Sequence, residues 1–557
     1  MDHYFTNYFR VCSDLIITKG LAMKESFFRS MTWMHTWVGL LVCWLLYLIF
    51  FAGTVSFFRD EITLWNQPAL HNVQAPEQRV AQQRSQIISG INYLQNAGPE
   101  STRWGIYLPT ERKPQLNYAY EKPRPEGKRF GGWQEHNINP QTGDEIAQTR
   151  DTRGGNFFYR LHFDLHYIDV RTARWIVCFA SLFMLVALIS GVVIHKRIFK
   201  DMFSFRANKG SRSWLDGHNV SSVLALPFHI MITYTGLITL IFMLFPYPAM
   251  TAYEDGIRGL FNDVSPTNVR TKTSPDSAPL IAIDTILDQV YTNWPDADLT
   301  QISIRDPNKA SATITVRADT ASLVRDQTPT LLFNGVDGSL IAKTAAQLTN
   351  TEVFYDSLTA LHTGRLANPL LRWLYFLCGV AGCVMIATGC IMWAKRIRER
   401  MKKDQPATIG LKLVEGLNLA TLMGLPLATC AFFIANRLLP MTTPERADKE
   451  ILAFFVTWLA VALFALFKRA RPQWILLAWI NGIACLSVPV INALTTNGNL
   501  ISYLLNGQWA LFSFDLMCLI FAALFVIQAK KIPTHTPAKT PQQRARRSAK
   551  TKLQEQP

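Results

Sequence analysis

Apolar residues in this chain run in blocks. Eight blocks, at 33–58, 172–195, 219–246, 369–394, 411–436, 450–467, 473–494 and 508–529, are long enough or nearly so for helices that cross about 30 Å of hydrocarbon. The fifth is the weakest, because its start (LVEGLNLATL) is only mildly apolar. Two long polar stretches, 59–171 and 247–368, interrupt the series. In the first, PEQRVAQQRSQIISGINYLQN suits a helix, TRWGIYLP and QLNYAYE suit strands, and INPQTGDEI marks a hairpin. In the second the order recurs: IAIDTILDQVYTNW, then QISIRD, ATITVRA and TLLFNGVDGSLI. One helix on a small antiparallel sheet, twice, is the economical expectation.

Charge adds direction. The chain of 557 residues carries 56 Lys and Arg against 40 Asp and Glu, a net charge of +16. The cations stand beside the apolar blocks: Arg10, Lys19, Lys24 and Arg29 before the first, Lys196, Arg197, Lys200, Arg206, Lys209 and Arg212 after the second. Lys395, Arg396, Arg398, Arg400, Lys402 and Lys403 follow the fourth, and Lys468, Arg469 and Arg471 the sixth. With eight alternating spans all these clusters fall on one side, so the bias predicts a cytoplasmic N-terminus and two outer segments. The charge then reads as a membrane-orientation signature with anionic lipid as partner, and nucleic acid as a partner is rejected. The first block is too long for a signal-peptide core, has no small-residue cleavage site after it, and reads as an uncleaved anchor.

The expected order is a cytoplasmic segment 1–32, span 33–58, outer domain 59–171, span 172–195, basic loop 196–218, span 219–246, outer domain 247–368, span 369–394 and basic loop 395–410. A four-helix extension 411–530 and a basic cytoplasmic tail 531–557 complete it.

Three landmarks recur in register. His35 precedes Gly53 by eighteen residues, and His218 precedes Gly236 by eighteen. Phe158-Tyr159 leads over five residues to Leu165-His166, as Phe354-Tyr355 leads to Leu361-His362. The second span ends Gly191-VVI-His195-Lys-Arg and the fourth Gly389-CIM-Trp393-Ala-Lys-Arg. The first four spans therefore read as one unit, helix–outer domain–helix, written twice and related by a pseudo-twofold axis along the membrane normal.

Of the eleven histidines, His3, His71, His136 and His535 lie in polar stretches and are expected in solvent. The other seven, His35, His162, His166, His195, His218, His229 and His362, sit in or at the ends of the first four spans, and the last four spans hold none. Ionisable groups at membrane depth are costly and point to function. The duplication pairs His35 with His218 near the inner face and His166 with His362 near the outer face. Two imidazoles facing across a gap are axial ligands for haem iron, so two pairs predict two haems, one per leaflet. His229, about three turns after His218 on the same face of a straight helix, could ligate, relay or line a pocket. His195 could ligate the inner haem, and His162, one turn from His166, could replace it. A non-haem metal would want carboxylates beside the imidazoles, and only Asp164 and Asp216 are near. Gly53, Gly191, Gly236 and Gly389 serve either helix packing or close approach of a flat macrocycle. None of the nine cysteines falls in an outer segment, and no CxxCH occurs, so any haem is non-covalent.

At these residues the chain resembles the PepSY-associated transmembrane family. The resemblance lies in MTWMHTWVGL, FRDEI, LHFDLHY, GVVIHKRIFKDMFSFR, LDGHNVSSVLALPFHIMITYTGL, ALHTGR and TGCIMWAKR, over roughly residues 28–400. The family includes iron-regulated inner-membrane proteins and periplasmic ferrisiderophore reductases of the ferrioxamine-reductase type. The resemblance implies two b-type haems in a four-helix core, PepSY-like α+β domains in the periplasm, and reduction of a ferric siderophore or other Fe(III) chelate there. No GxGxxG follows a strand, so electrons must come from quinol or a separate cytoplasmic reductase. Residues 405–530 lie outside the resemblance and offer no chemistry. Trp104, Tyr107, Tyr118, Tyr120 and Trp133, among many Arg and Lys, are either chelate contacts or a domain's ordinary aromatics. The expectation is thus an α-helical integral membrane protein of the bacterial inner membrane. It has about eight spans, a duplicated haem-binding four-helix core and two small periplasmic α+β domains. A haem-free transporter or assembly factor is the alternative.

Overall fold

The computed structural model describes residues 2–73, 78–122, 132–146, 149–195, 211–264, 273–319, 328–344, 350–365, 367–402, 405–467 and 471–532. The basic stretch 196–210 and His535 lie outside the described residues. The helices are α1 (Asp2–Ser56), α2 (Arg59–Asn66), α3 (Arg79–Ala97), α4 (Gly154–Asp164), α5 (Val170–Ile194), α6 (Ser211–Leu224), α7 (Leu226–Thr239) and α8 (Ile283–Asn293). They continue with α9 (Asn350–Thr363), α10 (Pro369–Arg400), α11 (Ile409–Leu422), α12 (Gly424–Leu438), α13 (Arg446–Phe467), α14 (Arg471–Thr495) and α15 (Trp509–Lys531), besides a few short helices. Among the described residues seven helical spans are long and apolar enough to cross a membrane, and α6 with α7 makes an eighth if the bent pair is one span. The protein is an integral membrane protein with multiple spans.

The third span is where the structure departs from a straight helix. Its two halves meet at 67°. Ala225 leaves helical backbone angles (φ −107°, ψ 19°), and Pro227 sits in the first turn of α7. Proline has no N–H to give the Val223 carbonyl, so the ladder of 219–246 breaks there and a new helix starts with proline where it is tolerated. His218 and His229 therefore do not share one straight helical face.

The outer segments also join where two separate domains were expected. Seven antiparallel strands, β1 (Arg103–Tyr107), β2 (Leu116–Glu121), β3 (Trp133–Ile138), β4 (Leu299–Arg305), β5 (Thr313–Ala318), β6 (Thr330–Asn334) and β7 (Leu340–Lys343), form one sheet in the order β3-β2-β1-β4-β5-β6-β7. The first strand of each copy pairs with the other, Trp104 opposite Ile304 and Ile106 opposite Ile302. This closes what would be two exposed edges and marks a local twofold between the copies. Helices α3 and α8 bury Ile87, Leu94, Ile286 and Val290 against the sheet with Trp104, Tyr118, Ile302 and Phe333. Trp104 and Tyr118 are thus core, while Tyr107 and Trp133 keep exposed faces.

The extension is bolted to the core by buried polar groups at the sheet end. Arg437 lies 3.6 Å over the Trp65 ring and donates to the Trp65 carbonyl at 2.5 Å and to Asn492 Oδ1 at 2.9 Å. Trp65 in turn donates its indole N–H to Asp515 at 2.9 Å. Arg446 pairs with Glu450, which accepts from Thr152 at 2.5 Å and Asn436 at 2.8 Å. Nearer the other end Trp44 donates to Asn418 at 2.9 Å. Around these bolts Phe157 and Phe158 pack into Phe432, Phe433 and Phe454. The charges of residues 405–530 therefore hold helices together. Glu61 links the copies, accepting from Arg112 and Arg372 at 2.8 Å each.

His71, expected in solvent, is buried in this network outside the spans. Its Nε2 donates to the Trp65 carbonyl (3.1 Å) and its Nδ1 accepts from the Tyr503 hydroxyl (3.0 Å). Burial, and after it the Arg437 cation, pushes its pKa down to about 4 from 6.5. The fold favours the neutral ring, so its contribution is complete above the unfolded value and is lost as pH falls toward the folded one. The melting temperature should drop between about pH 6.5 and pH 4. His71→Gln, which cannot titrate, should flatten that drop; an equally steep profile in the variant refutes the assignment.

Candidate functional site

Four histidines of the core share one local arrangement. His35 on α1 places Nδ1 2.8 Å from the Ala187 carbonyl of α5. His162 on α4 reaches the Ile49 carbonyl of α1 at 2.7 Å. His218 on α6 reaches the Met385 carbonyl of α10 at 2.8 Å, and His362 on α9 the Ile232 carbonyl of α7 at 3.0 Å. In every case a glycine stands four residues after that carbonyl: Gly191, Gly53, Gly389 and Gly236. A helix brings residue i+4 directly above residue i, and here that position must be bare. A Cβ on Gly53 would lie 2.8 Å from the His162 ring, on Gly236 2.8 Å from His362, on Gly191 3.0 Å from His35 and on Gly389 3.3 Å from His218. The four glycines therefore make room for imidazoles.

The Nδ1–H bond to a carbonyl has a chemical consequence. It fixes the neutral tautomer in which Nε2 keeps a lone pair, and it holds the ring orientation. Small hydroxyls stand before three of the glycines, and two of them approach an imidazole. Thr235 Oγ1 lies 3.1 Å and Ser190 Oγ 3.5 Å from the Nδ1 of His362 and His35. All three hydroxyls, Thr388 included, also bond back to the carbonyl four residues before at 2.7 Å.

The rings meet in two pairs. His35 and His218 stand 6.3 Å apart between centroids with planes at 71°. His162 and His362 stand 6.1 Å apart at 29°. Along α1, His35 and Gly53 are eighteen residues apart, so the two layers are separated by about 27 Å of helix axis. Around the first pair lies a cavity of about 1160 Å³. Among the described residues no group of three or more His, Cys, Asp or Glu gathers at one point.

The outer pair differs from the expected one. The structure brings His162 to His362 and leaves His166 aside. His166 has a left-handed backbone (φ 60°) just past the end of α4, and its ring stacks on Phe455 at 5.4 Å. His162 and His362 both occupy the last turn of their helices, which is the equivalence that matters. Spacing alone misleads: His362 precedes Gly389 by 27 residues, while His162 and His166 precede Gly191 by 29 and 25. His195 caps α5 and lines the inner cavity outside both ring pairs. His229 is fully buried at mid-depth, 3.3 Å from the Cys378 carbonyl and edge-on to Phe50 at 6.0 Å, and joins neither pair.

Residues 32–396, about two thirds of the chain, match the profile of the PepSY-associated TM region. The chain belongs to that family. All four paired histidines and all four glycines fall inside the matched span. An uncharacterized protein of Pseudomonas aeruginosa is 22% identical over 387 residues, covering 64% of this chain and 90% of that protein. The match to the PepSY-associated family ends at residue 396, near the end of α10 and before α11 to α15.

The carbonyl partners and the Ser/Thr-Gly pairs escaped the sequence reading, although Ser190-Gly191, Thr235-Gly236 and Thr388-Gly389 recur in the chain. The geometry sets a graded test. Gly53→Ala and Gly236→Ala overpack an imidazole and should each cost about 1–3 kcal/mol. Gly389→Ala, with the most room, should cost least. Thermal unfolding in detergent checks the order, and equal effects at all four positions contradict it.

Proposed function

We propose that the two imidazole pairs each hold a non-covalent haem b, and that the protein carries electrons across the membrane to reduce a ferric siderophore or related Fe(III) chelate on the sheet side. The observation that carries this reading is the ring separation. An iron about 2 Å from each of two imidazole nitrogens leaves the ring centres about 6 Å apart. The pairs stand at 6.3 and 6.1 Å, each with Nδ1 occupied and Nε2 left for a metal. Two neutral nitrogens with no carboxylate cluster suit a haem iron better than a free ion.

When bound, haem supplies one-electron ferric–ferrous chemistry. The chain's part is to hold it. His35 and His218 would clamp the inner group, His162 and His362 the outer one, and the carbonyls of Ala187, Met385, Ile49 and Ile232 keep each ring aimed and its tautomer set. Phe432 and Phe454 pack on Phe157 and Phe158 of the helix that carries His162 and cover that side of it. The substrate chemistry follows from hardness. Siderophore oxygens bind Fe(III) tightly and Fe(II) weakly, so one electron, drawn from quinol or a cytoplasmic reductase, loosens the iron. The basic loops then face the cytoplasm and the seven-stranded sheet the periplasm of a bacterial inner membrane.

Purified protein should be red, with haem b at two per chain by pyridine haemochrome. His162→Ala or His362→Ala should remove one haem, His35→Ala or His218→Ala the other, and His166→Ala neither. A colourless preparation from haem-replete cells defeats the proposal. Retention of both haems in the four Ala variants defeats the pairing.

A further inference from the structure

The inner cavity holds more than its imidazole pair. Beside His35, His218 and their glycines, its lining includes Arg212, Arg396 and Arg400, with His195 among them. Asp216 is the single carboxylate in that lining, against three guanidinium groups. The cations are placed by helix geometry. Gly382, Gly389 and Arg396 are spaced by seven residues on α10, two turns each, so they lie along one face about 10 Å apart. That face meets His229 at Gly382 and His218 at Gly389, and ends in a guanidinium at Arg396. Arg212, in the first turn of α6, stands six residues before His218 and lines the same cavity from the facing helix. Trp37 and Trp393, edge to face at 6.4 Å, add an apolar flank.

Resting on the haem reading above, we propose that Arg212 and Arg396 form a carboxylate-binding rim for the inner cofactor. They would receive the two propionates of the porphyrin, so that its acidic edge faces the basic loops and its apolar edge the membrane interior. The chemistry asks for this arrangement. A dicarboxylate edge buried in hydrocarbon is costly, and guanidinium is the group that binds carboxylate in a fork. An apolar slot closed at one end by imidazole and lined with guanidinium fits a flat ligand with one dianionic edge. Anionic lipid headgroups offer the same chemistry, and the test separates the two.

The first arm needs no variant. Full-length protein made in haem-deficient cells is titrated with haem b and with its dimethyl ester, which lacks the carboxylates. The inner site should take the ester about tenfold less well. The outer site's α-band serves as the reference within each sample. In the second arm Arg212→Gln/Arg396→Gln is compared with the native chain in nanodiscs with and without anionic lipid. The double variant should lose inner haem selectively, and the haem it keeps should have a lower midpoint potential, because a lost cation no longer favours the ferrous state. Arg212→Lys/Arg396→Lys should restore part of the shift. Equal uptake of the ester, or an unchanged potential in the Gln variant, overturns the rim. So does a shift that disappears without anionic lipid, which assigns the arginines to headgroups. Native protein that takes up no haem fails the haem reading itself, whereas haem indifferent to these changes fails only the rim.

Discussion

A hydrogen bond from an imidazole Nδ1–H to a helix carbonyl, made possible by a glycine four residues on, is the constraint around which this core is built. Such a bond brings the ring against the partner helix, where a Cβ would stand 2.8 to 3.3 Å from it. It also fixes which nitrogen remains free. Repeated four times, from α1 to α5, α4 to α1, α6 to α10 and α9 to α7, it sets two imidazole pairs. The rest of the architecture keeps those helices at the separation that lets each ring reach its carbonyl.

That wider support comes from both ends. At the sheet end, Glu61 with Arg112 and Arg372 ties the first copy to the second, and β1 paired with β4 does the same outside the spans. On the flank, α11 to α15 press aromatic rings against α4 and anchor by Arg437, Arg446, Glu450 and Asp515, all buried. Buried charges of this kind survive only when hydrogen-bonded, and removing one partner leaves the other stranded at a cost of about 3–5 kcal/mol. They give register more than net stability. The four spans added to the family core are thereby held in one orientation against it.

The break between α6 and α7 shows the same logic in reverse. A straight helix would carry His218 and His229 on one face. Pro227 bends the span by 67°, and the two histidines serve different neighbours, Met385 and Cys378. The copies are thus alike in their imidazole modules and unlike in the path of the chain between them. Their ring planes differ as well, 71° in one pair and 29° in the other.

What the sequence determined by itself was the membrane character, the number of apolar blocks, the duplication and the gathering of histidines and glycines in the first four spans. Each is written in one-dimensional periodicity or in a length that hydrocarbon thickness selects. Only the tertiary structure decided that His162, not His166, faces His362. Two Leu-His pairs one turn apart are equally spaced about the register, and the choice rests on where α4 ends and the chain turns left-handed at Leu165 and His166. It also decided that the outer segments share one sheet, because strand pairing between distant copies leaves no local mark. The role of α11 to α15 was equally hidden. Arg437 and Asp515 look like isolated charges in apolar runs until folding brings both to Trp65, since a buried charge is explained by its partners and those lie hundreds of residues away.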